Sequence, residues 1–149
     1  MSAKQALLTI KTVVDPTANL FCLSYAGGGP SSYLPWAPLL ADNINAYAIQ
    51  LPGRGSRITE SGITTMTEVV AEVLRSIEQH LERPFLFFGH SLGAQVAYAT
   101  AKRLQEQSKS PAYLIASACQ APHLPLNRKI LHNLEDDEFL QELKRYDGT

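Results

Sequence analysis

The sequence has few of the features that mark nucleic-acid-binding, membrane or secreted proteins. Its 149 residues contain no run of basic residues, and 13 Lys and Arg against 14 Asp and Glu leave a net charge of -1. A row of phosphates needs a basic surface to neutralise it, so no nucleic acid partner is predicted. The longest apolar stretches fall far short of the roughly 20 residues that a membrane span requires. The apolar patch at 6–10 is too short for the core of a signal peptide.

Cysteine is also scarce. The two cysteines, Cys22 and Cys119, lie in apolar runs without Cys-x-x-Cys spacing. This pattern favours reduced thiols over a disulfide framework or a zinc site. Because no histidines and cysteines cluster at ligand spacing, no metal or organic cofactor is predicted. These features predict a cytoplasmic protein with one globular core.

Hydrophobic periodicity predicts strands that alternate with helices. The clearest helix follows Thr65, which forms a capping-box pattern with Glu68. The apolar run 85–88 is typical of a strand buried on both faces, at the centre of a sheet. The alternation predicts an α/β fold with a mostly parallel sheet and flanking helices. The predicted elements are strands at 20–25, 46–51, 85–88 and 113–118, and helices at 31–41, 66–81, 93–104 and within 131–146.

One pentapeptide carries a chemical signal. Gly89-His90-Ser91-Leu92-Gly93 matches the G-x-S-x-G pattern, and it falls between a buried strand and an alanine-rich helix. The turn from strand to helix is so sharp that Cβ atoms at 89 and 93 would strike neighbouring elements. Ser91 is therefore expected at the apex of this turn, with a strained backbone and an exposed side chain that acts as a nucleophile. The His90 side chain is expected to point away from it. A plain helix N-cap is the alternative role for Ser91.

A second glycine loop fits the same chemistry. Acyl transfer needs two N–H donors for the oxyanion, one from Leu92 and one from a loop after an earlier strand. Residues 25–29, which end in three glycines, lie at such a place. A phosphate-binding loop is a weaker reading, because no lysine follows and Ser32 occupies the third glycine position of a dinucleotide fingerprint.

Four motifs in order resemble the type II thioesterases of the α/β-hydrolase fold: residues 20–29, 50–55, 83–93 and 121–125. These are stand-alone editing enzymes of nonribosomal peptide and polyketide synthesis, related to the thioesterase of fatty acid synthase. The resemblance implies hydrolysis of acyl groups from the phosphopantetheine arm of a carrier protein. It also implies Ser91 as nucleophile and the N–H groups of Ala26 and Leu92 as the oxyanion hole. Residues 1–149 would be one incomplete domain, with 127–149 the start of a lid.

The general base is the missing part. In this fold the order along the chain is Ser, then Asp or Glu, then His. After Ser91 the histidines are His123 and His132, and Glu106 is the carboxylate before them. A helix at 93–104 would place Glu106 roughly 20 Å from Ser91. The resemblance implies that the triad Asp and His lie on later strands that this chain does not contain. The chain is therefore expected to be a fragment or a truncated gene product, inactive alone; a small domain that borrows its base from elsewhere is the alternative.

Two alternatives to a thioesterase remain. One is a non-catalytic remnant that binds acyl chains or carrier proteins, and the other is a carboxylesterase, because the serine turn does not distinguish esters from thioesters. Arg54 and Arg57 are candidates to bind a phosphate of the carrier protein. The alternative is that both are loop arginines exposed to solvent. The strand at 113–118 is expected to be an apolar, unpaired sheet edge.

Overall fold

Five strands form one sheet in a computed structural model, which describes residues 6–125 and 135–146. The strands are β1 (Leu7–Lys11), β2 (Ala18–Leu23), β3 (Ile44–Ile49), β4 (Phe85–His90) and β5 (Tyr113–Ser117). Their order across the sheet is β1-β3-β2-β4-β5. The pairs β3-β2, β2-β4 and β4-β5 are parallel, which confirms the predicted sheet.

The connections lie on both faces of the sheet. The chain passes from β2 to β3 on one side of β2 and then back to β4 on the other side. With the right-handed crossovers typical of parallel sheets, these two connections are expected on opposite faces. A 3-10 helix, Pro30–Leu39, packs on one face, and its buried Tyr33 belongs to the same core cluster as Cys22 of β2. Helices α1 (Met66–Ile77) and α2 (Leu92–Gln105) cover the face that carries the larger core cluster.

This topology defines where a ligand should bind. The strand order reverses between β2 and β4, which is a topological switch point. In open α/β sheets, ligands bind outside the carboxyl ends of the strands at such a point. The glycine loop after β2 and the serine turn after β4 both lie there.

The helices differ in detail from the sequence predictions. The helix expected at 31–41 is a 3-10 helix, because Pro35 and Pro38 lack the N–H groups of an α-helical ladder. Helix α1 ends at Ile77 and continues as one 3-10 turn, Glu78–His80. The last helix, α3, spans Asp136–Tyr146, and its first turn is acidic as expected. Of the predicted lid region 127–149, residues 127–134, including His132, and 147–149 lie outside the described residues.

One strand was not predicted, and another was given the wrong position in the sheet. The segment Leu7–Lys11 was not predicted as a strand, yet it pairs antiparallel with β3 at the sheet edge. Five residues with a register shift give a weak period-2 signal, which explains the miss. The middle strand is β2, not β4, although β4 is interior. The other edge is β5, where Tyr113 is 70% exposed and Ile115 is 48% exposed.

Helix α1 begins at a side-chain cap. The Thr65 hydroxyl accepts the Glu68 N–H at 3.3 Å, which confirms half of the predicted capping box. The Glu68 carboxylate accepts from the Thr65 hydroxyl at 2.5 Å, where the sequence predicted a bond to a backbone N–H. The cap thus joins the two side chains directly.

We expect Thr65→Ala to lower the free energy of unfolding by about 1 kcal/mol, because one N–H of the first turn loses its acceptor. Urea unfolding followed by circular dichroism measures this loss. Thr67→Ala is the matched control, since Thr67 is exposed and is not the cap. An equal loss in both variants would contradict the capping role.

Both cysteines are free thiols, as predicted. Cys22 is fully buried, and burial raises its pKa to about 12, so it stays protonated. Within the described ranges, no helix is both long and apolar enough to cross a membrane.

Candidate active site

The turn between β4 and α2 consists of Ser91 alone. Its φ of 54° and ψ of -114° lie in a region that residues other than glycine rarely adopt. Such strain persists only where the surrounding structure imposes it, and it concentrates at functional sites. The expected strain is present, but the side chain is half-buried and not fully exposed as predicted.

The glycines on either side of Ser91 are required by space. A Cβ at Gly89 would overlap the backbone of Gly93 and Ala94. A Cβ at Gly93 would overlap the carbonyl oxygen of Leu23, at the end of β2. The predicted reason for the motif's glycines is therefore confirmed, and Gly93 brings α2 directly against the strand that carries the glycine loop.

Neighbouring elements hold the turn in place. The Ser91 N–H donates to the Ser117 carbonyl at 2.8 Å, and the Ala94 N–H donates to the Ser91 carbonyl at 3.0 Å. The His90 ring nitrogen Nδ1 lies 3.1 Å from the Ser117 hydroxyl. The Tyr25 ring meets the His90 ring edge-on, with centroids 5.7 Å apart. His90 is thus engaged by the end of β5 and by the glycine loop.

The loop after β2 makes a tight turn beside the serine. Gly27 has a φ of +82°, and the Gly28 N–H donates to the Tyr25 carbonyl at 2.9 Å. The Ser24 hydroxyl donates to the Gly29 carbonyl at 3.0 Å and closes the loop on itself. Ala26 is exposed at the tip of this turn.

The two N–H groups predicted to bind an oxyanion have no acceptor in the described structure. Within the described part of the chain, neither the Ala26 N–H nor the Leu92 N–H donates to an acceptor. Leu92 is the first residue of α2, where the helix dipole adds a partial positive charge. Ala26 and Leu92 both line one cavity of about 540 Å³.

The cavity is also lined by the segment between β3 and α1, including Pro52, Gly53 and Ile63. Most of its lining side chains are apolar, among them Leu51, Val69, Val96 and Met66. Such a space suits an apolar group attached to a carbonyl at the two donors.

The candidate base residues are not brought to Ser91. In the described ranges, no histidine or carboxylate hydrogen-bonds to the Ser91 hydroxyl. His123 lies in an exposed turn after β5, on the same sheet edge as Ser91. Glu106 caps the opposite end of α2, about 20 Å away at 1.5 Å per residue, as expected.

The two loop arginines differ sharply. Arg54 is exposed and lines the cavity. Arg57 is buried and ion-paired with Glu72 and with Glu60, and its guanidinium also donates to the Gln50 carbonyl at 2.9 Å. The hydrogen bond to Glu60, together with those to Glu72, raises the pKa of Arg57. The idea that Arg57 meets a carrier phosphate is wrong, because its donors are already engaged.

Sequence reasoning did not single out Glu72. This carboxylate is buried in α1 and bonds to both Arg57 and Arg75. The sequence feature that could have indicated it is a charged residue next to Val73, on the apolar face of the predicted helix. The described residues contain no group of three His, Cys, Asp or Glu side chains that could hold a metal ion.

A mostly parallel sheet with a strained serine turn and a glycine loop at its carboxyl edge defines the α/β-hydrolase class. The thioesterase domain family matches residues 18–149, and the chain belongs to that family. It is 37% identical over 132 residues to the gramicidin S biosynthesis protein GrsT of Aneurinibacillus migulanus, covering 88% of this chain and 52% of that protein. It is also 37% identical over 150 residues to the linear gramicidin dehydrogenase LgrE of Brevibacillus parabrevis, covering 100% of this chain and 57% of that protein.

Solved structures agree with the family. The type II thioesterase BorB from the borrelidin biosynthetic cluster superposes with a TM-score of 0.81 at 31% identity, covering 96% of this chain and 58% of that one. YbtT, a type II thioesterase from the yersiniabactin pathway, gives a TM-score of 0.78 at 30% identity, with coverages of 94% and 57%. The chain spans about half the length of the curated relatives it matches. The predicted fold and family resemblance are confirmed.

Proposed function

We propose that the protein is a serine thioesterase that removes acyl groups from the phosphopantetheine arm of carrier proteins. One observation carries the proposal. Ser91 lies in a strained turn between β4 and α2, beside a cavity lined by Ala26 and Leu92, whose N–H groups have no acceptor among the described residues. A nucleophile next to two free donors is the arrangement that acyl transfer requires.

The reaction follows from this arrangement. The Ser91 oxygen attacks the thioester carbonyl, and the negative charge that develops on the carbonyl oxygen is held by the two N–H groups. The carbon–sulfur bond then breaks, and the carrier thiol leaves with the proton that Ser91 gave up. Water hydrolyses the resulting serine ester and releases the free acid. Each donor to the oxyanion contributes about a hundredfold or more to such a rate.

The proton transfers need a base. We assign the base to a histidine and its orienting carboxylate outside the described residues, since no described histidine is bonded to Ser91. Residues 127–149 are proposed to begin a lid over the cavity. The reaction as written uses no metal or organic cofactor.

The substrate assignment is supported by the pathways of relatives. GrsT is named for gramicidin S biosynthesis, and BorB and YbtT belong to biosynthetic clusters. Their products suggest substrates bound to the carrier proteins of a nonribosomal peptide or polyketide synthase. Such synthases work in the cytoplasm, where we place this protein, and its two free thiols suit that compartment.

Intact-mass analysis of an acylated carrier protein tests the proposal. With imidazole added as an external base, we expect the chain to remove the acyl mass faster than imidazole alone. Ser91→Ala should abolish the difference, and Ser110→Ala, which changes an exposed serine away from the site, should preserve it. A folded chain that binds the acylated carrier without Ser91-dependent loss of acyl mass would be the non-catalytic remnant. Faster cleavage of an oxygen ester than of the thioester with the same acyl group would favour a carboxylesterase.

The name of one relative raises a second function, that of a dehydrogenase. The loop after β2 argues against a dinucleotide site here, because it leads into a 3-10 helix and not into an α-helix N-terminus. Titration with NADPH, followed by fluorescence, distinguishes the two. We expect no saturable binding, and tight binding would favour the dehydrogenase.

A further inference from the structure

The cavity beside Ser91 has an unusual charge distribution. Among the described residues that line it, Arg54 is the single charged side chain. The other lining residues are apolar, small or hydroxyl-bearing. Because the other lining groups carry no charge, an anionic ligand would interact with this guanidinium more strongly than any of them does.

Arg54 is also unpaired, in contrast to the arginine three positions later. Within the described ranges, its guanidinium forms no ion pair or hydrogen bond with a protein group, whereas Arg57 is paired with Glu60 and Glu72. Exposed Arg75 and Arg103 have acidic partners in Glu72 and Glu106. Exposed Arg83 forms no ion pair within the described ranges, but it does not line the cavity. Arg57 therefore stabilises the loop, whereas the guanidinium of Arg54 remains available to bind a ligand.

The backbone around Arg54 is firmly held. The Arg54 N–H donates to the Leu51 carbonyl at 3.1 Å, and the Arg54 carbonyl accepts the Arg57 N–H at 2.8 Å. The Gly53 N–H donates to the Arg57 carbonyl at 3.0 Å, and Gly53 has a φ of +76°. The buried Arg57–Glu72 ion pair fastens this turn to α1. A rigid turn presents the guanidinium with little loss of backbone entropy on binding.

We infer that Arg54 is a specificity-determining residue that binds an anionic oxygen group of the substrate at the mouth of the Ser91 cavity. The inference rests on the proposed function, because it concerns the substrate of the same site. Two sources supply such a group: the phosphate of the phosphopantetheine arm, and a carboxylate on the acyl group itself. The guanidinium binds either one through paired N–H donors.

Binding measurements on the Ser91→Ala chain test this without any turnover. Phosphopantetheine is compared with pantetheine, and malonyl-pantetheine with propionyl-pantetheine, by isothermal titration calorimetry. We expect the anionic member of one pair to bind about tenfold more tightly than its neutral counterpart. A preference in the first pair identifies the phosphate, and a preference in the second identifies an acyl carboxylate.

Charge-matched variants assign the effect to Arg54. Arg54→Gln should remove the preference, and Arg54→Lys should keep part of it, because lysine retains the charge but not the fork of donors. Arg103→Gln makes the same change in net charge at the far end of α2 and should leave the preference intact. No anion preference in either pair, or an equal preference in Arg54→Gln, would overturn the inference.

Reaction of Ser91 with a fluorophosphonate is a separate readout. Labelling of Ser91 without an anion preference rejects the role of Arg54 and leaves the proposed function standing.

Discussion

Gly93→Ala is expected to destabilise the protein by about 3 kcal/mol and to disrupt the active-site geometry. The added methyl group would overlap the Leu23 carbonyl oxygen, which belongs to backbone and cannot rotate away. Either α2 or the end of β2 must shift, and overpacking of this kind costs 1–3 kcal/mol or more. The shift also separates the Leu92 N–H from the Ala26 N–H, because α2 carries one donor and the loop after β2 carries the other.

Urea unfolding measures the stability of this variant, and reaction with a fluorophosphonate reports on its site. Gly62→Ala is the matched control, because a Cβ at Gly62 meets nothing within 4 Å and its φ is not positive. Gly62 also lies in the cavity wall, so the control probes the same region. Equal stability of the two variants would show that Gly93 is not required by close packing.

Glu72→Ala is expected to lower the free energy of unfolding by about 3 kcal/mol, because it leaves the buried Arg57 guanidinium without its partner in α1. Arg57 keeps its ion pair with Glu60, so the loss arises because its buried charge is only partly compensated once the carboxylate in α1 is gone. Glu106→Ala is the control: it removes one partner of the exposed Arg103–Glu106 pair and should change stability by less than about 1 kcal/mol. A Glu72→Ala variant as stable as the control would contradict the account of the loop.

The same carboxylate produces a pH dependence. Burial by itself raises the pKa of Glu72, but the hydrogen bonds and charges of Arg57 and Arg75 outweigh it and lower that pKa below its ordinary value. A group with a lowered pKa in the folded state contributes stability above its unfolded pKa of about 4.5, and this contribution is lost as the pH falls. Unfolding measured from pH 7 to pH 3 should therefore show a smaller acid destabilisation in Glu72→Gln than in the parent chain. Equal slopes would contradict the pairing.

Sequence reasoning succeeded where local pattern and local cause coincide. Gly89, the strain at Ser91 and the cap at Thr65 follow from steric or hydrogen-bonding demands within a few residues. Gly93 was recognised from the G-x-S-x-G pattern, although the backbone that its Cβ would meet belongs to the distant Leu23. The alternation of strands and helices was enough to predict the parallel sheet. The assignment of Ala26 as the second donor came from the family resemblance, because spacing alone left the donor open within residues 25–29, and it stays a prediction.

It failed where the deciding contact is distant in the chain. The strand Leu7–Lys11 exists because β3 offers it a free edge, which its own five residues do not reveal. Arg57 and Glu72 are 15 positions apart, so their pairing could not be recognised from adjacent residues. The difference between Arg54 and Arg57, which now carries the proposal for substrate recognition, depends entirely on that pairing.

The central claim is that Ser91 is a nucleophile placed beside an oxyanion hole. The mass of the intact protein after reaction with a fluorophosphonate tests this claim most directly. The purified chain and its Ser91→Ala variant are incubated with the reagent, with and without imidazole, and their folding is verified by circular dichroism. We predict a single adduct on the parent chain, formed faster when imidazole is present to accept the proton, and no adduct on Ser91→Ala. A folded parent chain that gains no adduct even with imidazole, or an equal adduct on both proteins, would contradict the account.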